Sequence, residues 1–536
     1  MSTSTFESSL DLVTDFLIER NRTLPDLPTR PSRESLDTAL KALPTFLPES
    51  GWGTQRTIEH VLQNVVPGLW TGHAGNRYFG LVTGGVTEGA QLGDMIAGSL
   101  DESIQLNFPD STIGLALEDR TCDLVLDLLG IPPDTFRGRT ITTGATASNI
   151  VGLACARDSL LSNHPGLPRG WNVAEDGFPP QTLHPSGDPI PPVRVFCRKA
   201  HGSINKAAAV TGIGRRNVVD IPPGTDALKI GMDAYVLERE LRETKGMGIG
   251  CIVVVGLGEV NTGFFAQDVH RIADICQKTG AWLHIDAAFG AFGSLLPGNE
   301  HLSSEMMRAD SLTVDAHKWL HCPYDCALLY TRTSDSLSRS FGPSPNTAGP
   351  AYLAPSTISK DDNVAEDVQT LRDWHQSLPS PLNCGIENSR RNRALPLFTA
   401  LVENGRDGYA DIVRRNCDFA NCIAKWLQDA QAGGEWYELV NGTTSPGERT
   451  VPLNIVLFRG KEGSRYPPSD PGSAARLVKA INETRRIFVT ITSWDRVGAV
   501  RIAVSNWRTA NGKSGVEASS ELAEVKAVLT QVMREM

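Results

Sequence analysis

From about Ala90 to Thr331 the chain alternates short apolar runs with helical stretches, and that alternation restricts its folding more than any other feature. The spacing predicts strands at Val193–Cys197, Asn217–Ile221, Cys251–Gly256, Trp282–Ile285, Ser311–Val314 and Cys326–Tyr330. Helical periodicity falls between them, at Ser148–Leu161, Asp233–Glu243 and Gln267–Thr279. Strands that return through helices run parallel, and a parallel sheet must be covered on both faces. The expected class is α/β: a large domain, residues 91–390, built on a central, mostly parallel sheet.

The flanking regions read differently. Residues 1–90 mix short helical patterns with proline-rich links such as Leu24-Pro25-Asp26-Leu27-Pro28, an N-terminal helical arm that packs on something else. Residues 391–536 read as helix, long helix, two strands (Trp436–Val440, Leu453–Phe458), helix, two strands (Phe488–Ile491, Val500–Val504) and a final helix. That pattern is a small C-terminal α+β domain. The Pro-rich stretches at 162–192 and 342–362 belong on the surface. With 40% apolar residues in 536, a sizeable core can be buried. The net charge of −10, without long like-charge runs, argues against nucleic acid or an anionic membrane as partner. No run approaches about 18 apolar residues, and the start lacks a basic segment followed by an apolar one, so neither a membrane span nor a secretory signal is expected. Ten scattered cysteines fit a reducing, cytoplasmic setting.

Four segments carry chemistry. In Asp315-Ala316-His317-Lys318-Trp319 a lysine follows an apolar strand, where an ammonium needs a partner; it is either a surface lysine at a strand end or a Schiff-base lysine. In His284-Ile285-Asp286-Ala287-Ala288 a carboxylate ends a hydrophobic strand, to cap a helix or to meet a cation such as a pyridinium nitrogen. Thr142-Thr143-Gly144-Ala145-Thr146-Ala147-Ser148-Asn149 opens a helix with small residues, so its backbone N–H groups can converge on an anion. His201 follows another strand, where an imidazole can stack on a flat ring or serve structure alone. His317, His321, Cys322 and Cys326 are closely spaced, but no C-x₂-C pair supports a metal site, and none is expected.

In this order and at these separations the four segments resemble the pyridoxal-phosphate-dependent group II amino-acid decarboxylases. The similarity runs from Arg77-Tyr78-Phe79-Gly80 to Ser505-Asn506-Trp507 and is most specific over 310–325. It implies fold type I of the pyridoxal-phosphate-dependent transferases, with pyridoxal 5′-phosphate as cofactor. It implies that Lys318 anchors the cofactor covalently, Asp286 pairs with the ring nitrogen and His201 stacks on the ring. By the same resemblance Ala145 and Thr146 bind the phosphate, Ala288 contacts the ring, and Asp315 and His317 lie beside the phosphate. Asp315 stands where some members have Asn, and a carboxylate beside a phosphate requires an intervening cation. The turn reads Gly144-Ala145-Thr146 instead of the family's more common Gly-Gly-Thr; the methyl group of Ala145 leaves its N–H free.

Tyr352, in Ala351-Tyr352-Leu353, aligns with the family's mobile catalytic loop, whose tyrosine returns a proton to the substrate carbon after CO₂ leaves. Relatives with Phe there, or with Asn for the stacking histidine, tend toward aldehydes. The implied reaction is α-decarboxylation of an L-amino acid to its amine, at a homodimer interface. The alternatives are a decarboxylation-dependent aldehyde synthase, a transaminase using Arg501 for the substrate carboxylate, and a catalytically silent relative. Arg390, Arg391 and Arg393 resemble a family cluster that helps to place loop and substrate. The substrate's identity stays open, because Leu81 and Val82 are aliphatic where aromatic amino-acid decarboxylases carry aromatic pocket residues.

Overall fold

Short, continuously apolar segments separated by amphipathic helices form the central element of the computed structural model, a sheet of seven strands. The structure describes residues 3–179, 182–183, 189–199, 201–224, 230–344, 365–443 and 449–534. The chain divides into two units, Val86–Arg414 and Met1–Gly85 with Arg415–Met536.

In the larger unit the main sheet comprises β1 (Gly138–Thr142), β2 (Val193–Cys197), β3 (Val218–Asp220), β4 (Gly250–Gly256), β5 (Trp282–Asp286), β6 (Ser311–Asp315) and β7 (Ala327–Thr331). Their order across the sheet is β1-β7-β6-β5-β4-β2-β3. From β3 to β6 all neighbours are parallel, whereas β7 runs antiparallel to both β6 and β1. The exception has a simple cause: residues 316–326 are fewer than the dozen or so needed for a parallel crossover. The inner strands are buried along nearly their whole length, as a sheet covered on both faces requires.

The helix Ala145–Ser162 contributes buried residues all round, among them Val151, Leu153, Ala154, Cys155 and Ala156. Its small side chains let it lie close against the strands. At Gly152 a Cβ would come within 2.9 Å of the His284 ring, so glycine is required for this approach. The helix Val269–Thr279 is one-sided, burying Val269, Ile272, Ala273, Ile275 and Cys276, and it ends at Gly280 with φ +71°.

The other unit has an antiparallel sheet of β8 (Tyr437–Leu439), β9 (Ile455–Gly460), β10 (Thr490–Trp494) and β11 (Val497–Ala503), in the order β8-β9-β11-β10. The sequence places the last two strands at Phe488–Ile491 and Val500–Val504, but they meet in a much tighter hairpin. Asp495 and Arg496 both take positive φ (47° and 68°), a two-residue turn made without the glycine that usually announces it. The amino-terminal segment packs on this sheet: the N–H of Phe79 donates to Phe488 O (2.8 Å), and that of Ala503 donates to Phe79 O (2.9 Å). The Tyr78 and Phe488 rings stack at 4.6 Å. The first helix, Thr3–Thr23, is longer than the short patterns the sequence suggests.

The arginines after the proline-rich stretch are each tied to a carboxylate within the larger unit. Arg391 pairs with Asp94 (2.7 Å), and Arg393 with Asp325 (2.9 Å) and Glu387 (3.1 Å). Arg390 is buried and forms two charge-assisted bonds to buried Glu118, the longer at 2.7 Å. Breaking a buried pair strands a charge, at a cost of about 3–5 kcal/mol. We therefore expect Arg390→Ala to lower the unfolding free energy by that amount, seen as a lower urea midpoint at unchanged m, and Arg390→Met combined with Glu118→Leu to restore most of it. Equal midpoints for Arg390→Ala and the parent would remove the pair from the stabilising interactions.

Candidate active site

Parallel strands deliver their carboxyl ends to one edge of a sheet, where ligands of open α/β sheets bind. Here β2, β4, β5 and β6 end at Cys197, Gly256, Asp286 and Asp315. An open cavity lies beyond them, lined by Ala145, His201, Asp286, Ala288 and Lys318 among others. Five of the residues singled out in the sequence thus share one wall.

Lys318 is positioned by its neighbour. The turn Ala316–Trp319 follows β6 directly, and Trp319 is fully buried, edge-on to Phe289 and Phe292. With Trp319 fixed in the core, Lys318 stays at the cavity wall with its side chain 23% exposed, its Nζ 2.9 Å from Asp315 Oδ2. Asp315 is a hub. Its Oδ1 accepts from the N–H of Ala145 (3.2 Å) and lies 3.3 Å from His317 Nε2. His317 Nδ1 accepts from the N–H of Cys326 (3.3 Å), so its Nε2 carries the proton that faces the carboxylate. Burial alone would raise the Asp315 pKa; the Lys318 ammonium and His317 outweigh it and hold the group below the usual carboxylate range.

The small-residue turn is built tightly. Thr142 Oγ1 reaches Gly144 O (3.2 Å) and Ser148 Oγ (2.7 Å), and a Cβ on Gly144 would approach His317 to 3.3 Å. Thr146 lies half-buried in the first helical turn. His201 caps the helix Gly202–Val210, its Nδ1 accepting from the N–H of Ser203 (3.2 Å).

The sequence reading missed the group behind Asp286. Fully buried Asn149 donates to Asp286 Oδ2 (2.9 Å), while the N–H of Ala288 donates to Oδ1 (3.2 Å). Asn149 also meets Ser203 Oγ (3.0 Å), Thr313 Oγ1 (2.9 Å) and His284 Nε2 (3.0 Å). The available signal was an amide in a helix of small apolar residues, together with a histidine two residues before Asp286, on the same face of its strand.

Tyr352 falls outside the described residues. Leu81 and Val82 belong to the smaller unit and both take positive φ (61° and 79°), a strained arrangement for a β-branched residue. Arg501 lies buried on β11, opposite Leu457. A second cavity, at the opposite edge of the main sheet, has Lys245, His164 and Asp310 in its wall, each engaged with backbone.

His284 gives the site region an acid sensitivity. Burial pushes its pKa from 6.5 down to about 4, against the pull of Asp286 in the other direction. Between these values the unfolded chain binds a proton that the folded chain refuses, so stability is full above about pH 6.5 and is lost as the pH falls toward 4. The shift corresponds to roughly 3 kcal/mol. The urea midpoint should fall across that window, and His284→Gln should flatten the fall. An unchanged slope in the variant would assign the sensitivity to other groups.

A primary amine, a fixed carboxylate, an imidazole and a small-residue helix start suit an aldehyde cofactor with a ring nitrogen and a phosphate. The chain matches the family model "Pyridoxal-dependent decarboxylase conserved domain" over residues 38–446. An aromatic-L-amino-acid decarboxylase of Bacillus atrophaeus is 25% identical over 511 residues, which cover 90% of this chain and 88% of that one. The structure of Catharanthus roseus tryptophan decarboxylase in complex with L-tryptophan superposes with a TM-score of 0.76 at 19% identity, covering 99% and 98% of the two chains. Rhodiola rosea 4-hydroxyphenylacetaldehyde synthase gives 0.75 at 18% identity, with the same coverage. Site chemistry and family match agree: the chain belongs to the pyridoxal-dependent decarboxylases and is an amino-acid decarboxylase whose cofactor is pyridoxal 5′-phosphate.

Proposed function

We propose that this decarboxylase releases the α-carboxyl group of an L-amino acid as CO₂ and yields the amine, with Lys318, Asp286, His201 and Tyr352 as its catalytic residues. The observation that supports it best is the meeting of Lys318, Asp286, His201, Ala145 and Ala288 on one cavity. Pyridoxal phosphate, when bound, supplies the electron sink for the pair released as the Cα–carboxylate bond breaks.

Lys318 Nζ would hold the cofactor covalently and give way to the substrate amine. Asp286, held by Asn149 and the N–H of Ala288, would face the ring nitrogen and keep it protonated. Ala288 would leave room for the flat ring, and His201 would lie on it. Thr146 would offer its N–H to the phosphate, and Ala145, whose N–H the sequence leaves free but which here donates to Asp315 Oδ1, would have to turn it from that carboxylate; the favourable end of the helix Ala145–Ser162 adds attraction. With Lys318 taken up by the cofactor, His317 Nε2–H, against Asp315, would supply the hydrogen a carboxylate needs beside a phosphate. Tyr352 would return a proton to Cα.

Three further features belong to the same reading. The protein acts as a homodimer, by resemblance to its family. It works in the cytoplasm: its ten cysteines are all free thiols, and among the described residues no helix is long and apolar enough to cross a membrane. Its substrate meets a wall that is apolar at Ile204, Ile230 and Met232 and charged at Arg198, Lys199 and Glu259.

The likeness to an aldehyde synthase makes the product the decisive measurement. A panel of aromatic and acidic L-amino acids should show CO₂ and amine released in equal amounts from at least one member. Tyr352→Phe should divert product toward aldehyde, ammonia and peroxide with cofactor affinity unchanged. Aldehyde from the parent enzyme, or unaltered amine formation in the variant, would refute the assignment.

A further inference from the structure

Two residues given separate tasks above, Asp286 and His201, are joined by a chain of hydrogen bonds inside the protein. Asn149 sits at its centre with no exposed surface. Its two amide hydrogens are both committed: one goes to Asp286 Oδ2 at 2.9 Å, the other to Ser203 Oγ at 3.0 Å. Its oxygen accepts from Thr313 Oγ1 at 2.9 Å and from His284 Nε2 at 3.0 Å. A rotated amide would press its oxygen against the carboxylate of Asp286, so this orientation is the one the surroundings permit.

Proton positions follow along both arms. On one arm His284 carries hydrogen on Nε2, and its bare Nδ1 accepts from the Ser311 hydroxyl at 2.8 Å. The Ser311 oxygen in turn receives Trp282 Nε1–H at 2.9 Å. Neutral His284 suits this arrangement, because its pKa is depressed to about 4. On the other arm Ser203 Oγ receives the Asn149 amide and turns its own hydrogen to His201 Nδ1, 2.8 Å away. The N–H of Ser203 meets the same nitrogen at 3.2 Å. With two donors aimed at Nδ1, the hydrogen of His201 resides on Nε2, the nitrogen left to meet a ligand.

We propose that Asn149 is a positioning residue that sets the Asp286 carboxylate directly and the tautomer of His201 through Ser203, so that the two cofactor-facing groups are ordered by one amide. This rests on the roles given to Asp286 and His201 above. Asn149 touches no reacting atom; it acts on two residues that do. Its two arms separate in experiment, because Ser203 lies on the His201 arm alone.

The test uses the cofactor-loaded enzyme and follows the pH dependence of its visible absorption together with kcat and KM. Asn149→Asp, equal in size, and Asn149→Ala should each lower kcat by about tenfold or more and displace the absorption midpoint by about one pH unit. Ser203→Ala should leave that midpoint in place and raise KM several-fold, since it loosens His201 and frees one amide hydrogen of Asn149 but keeps the bond from Asn149 to Asp286. Adding Ser203→Ala to Asn149→Ala should have less than the product of the two effects on KM. Asp286→Asn is the control. If it abolishes turnover while both Asn149 variants keep the parental absorption profile and kcat, even with lowered thermal stability, Asn149 is structural and the proposal is wrong. If Asp286→Asn itself leaves turnover and spectrum unchanged, the role of Asp286 fails first and the proposal falls with it.

Discussion

The parallel register between β5 and β6 underlies the geometry of the site. It sets His284 opposite Ser311, Ile285 opposite Leu312 and Asp286 opposite Thr313. A slip of one residue would send every side chain to the other face of the sheet. Asp286 would leave the cavity, and His284 and Thr313 would leave Asn149. The same register continues in the turn beyond the strands, where the N–H of Asp315 donates to Ala288 O at 3.0 Å. Lys318 is fixed relative to Asp286 because both hang from adjacent strand ends. The antiparallel return of β7 completes the arrangement by bringing the N–H of Cys326 to His317.

That edge carries an unusual density of buried polar groups, and each is tolerated for a specific reason. Asp315 is 2% exposed yet stays ionised because Lys318, His317 and the N–H of Ala145 surround it. Asp286 is held by an amide and a backbone N–H instead of a neighbouring cation. Its remaining acceptor capacity is therefore available to a positively charged ring nitrogen. His284 is kept neutral by burial and is satisfied by the Ser311 hydroxyl on one side and the Asn149 amide oxygen on the other, which explains why an imidazole can sit under Gly152 in the middle of the core. Stability and function share these bonds, so substitutions here should affect both.

The parts of the fold legible in the sequence were those with a strong local signal. Val193–Cys197 is legible to the residue, and five of the other six strands of the main sheet to within one residue at each end, because short apolar runs bounded by turns admit little else; Gly138–Thr142, with only Ile141 strongly apolar, is not delimited by such a run. The hairpin at Asp495 and Arg496 was misplaced because its turn uses two ordinary residues in a glycine-like conformation. Within the site, Lys318, Asp286 and His201 were visible because each follows a strand, where a polar residue stands out. Asn149 closes the small-residue segment without any local mark of a role. Its importance comes from β5, β6 and the start of the helix Gly202–Val210, more than 50 positions away, and no local pattern announces such a meeting. The arginines after residue 389 show the converse: a conspicuous local cluster whose members are ion-paired, with Glu118, Asp94, Asp325 and Glu387.

Everything in this view of the site turns on Lys318 being the amine at the carboxyl edge of the sheet that carries the cofactor. Reduction of the holoenzyme with borohydride, followed by digestion and mass spectrometry, tests that directly. The phosphopyridoxyl group should be recovered on the peptide containing Lys318, and Lys318→Ala should yield no modified peptide and no visible absorption above free cofactor. Recovery of the label on Lys199, the other lysine that lines the cavity among the described residues, or on any lysine elsewhere, would contradict it.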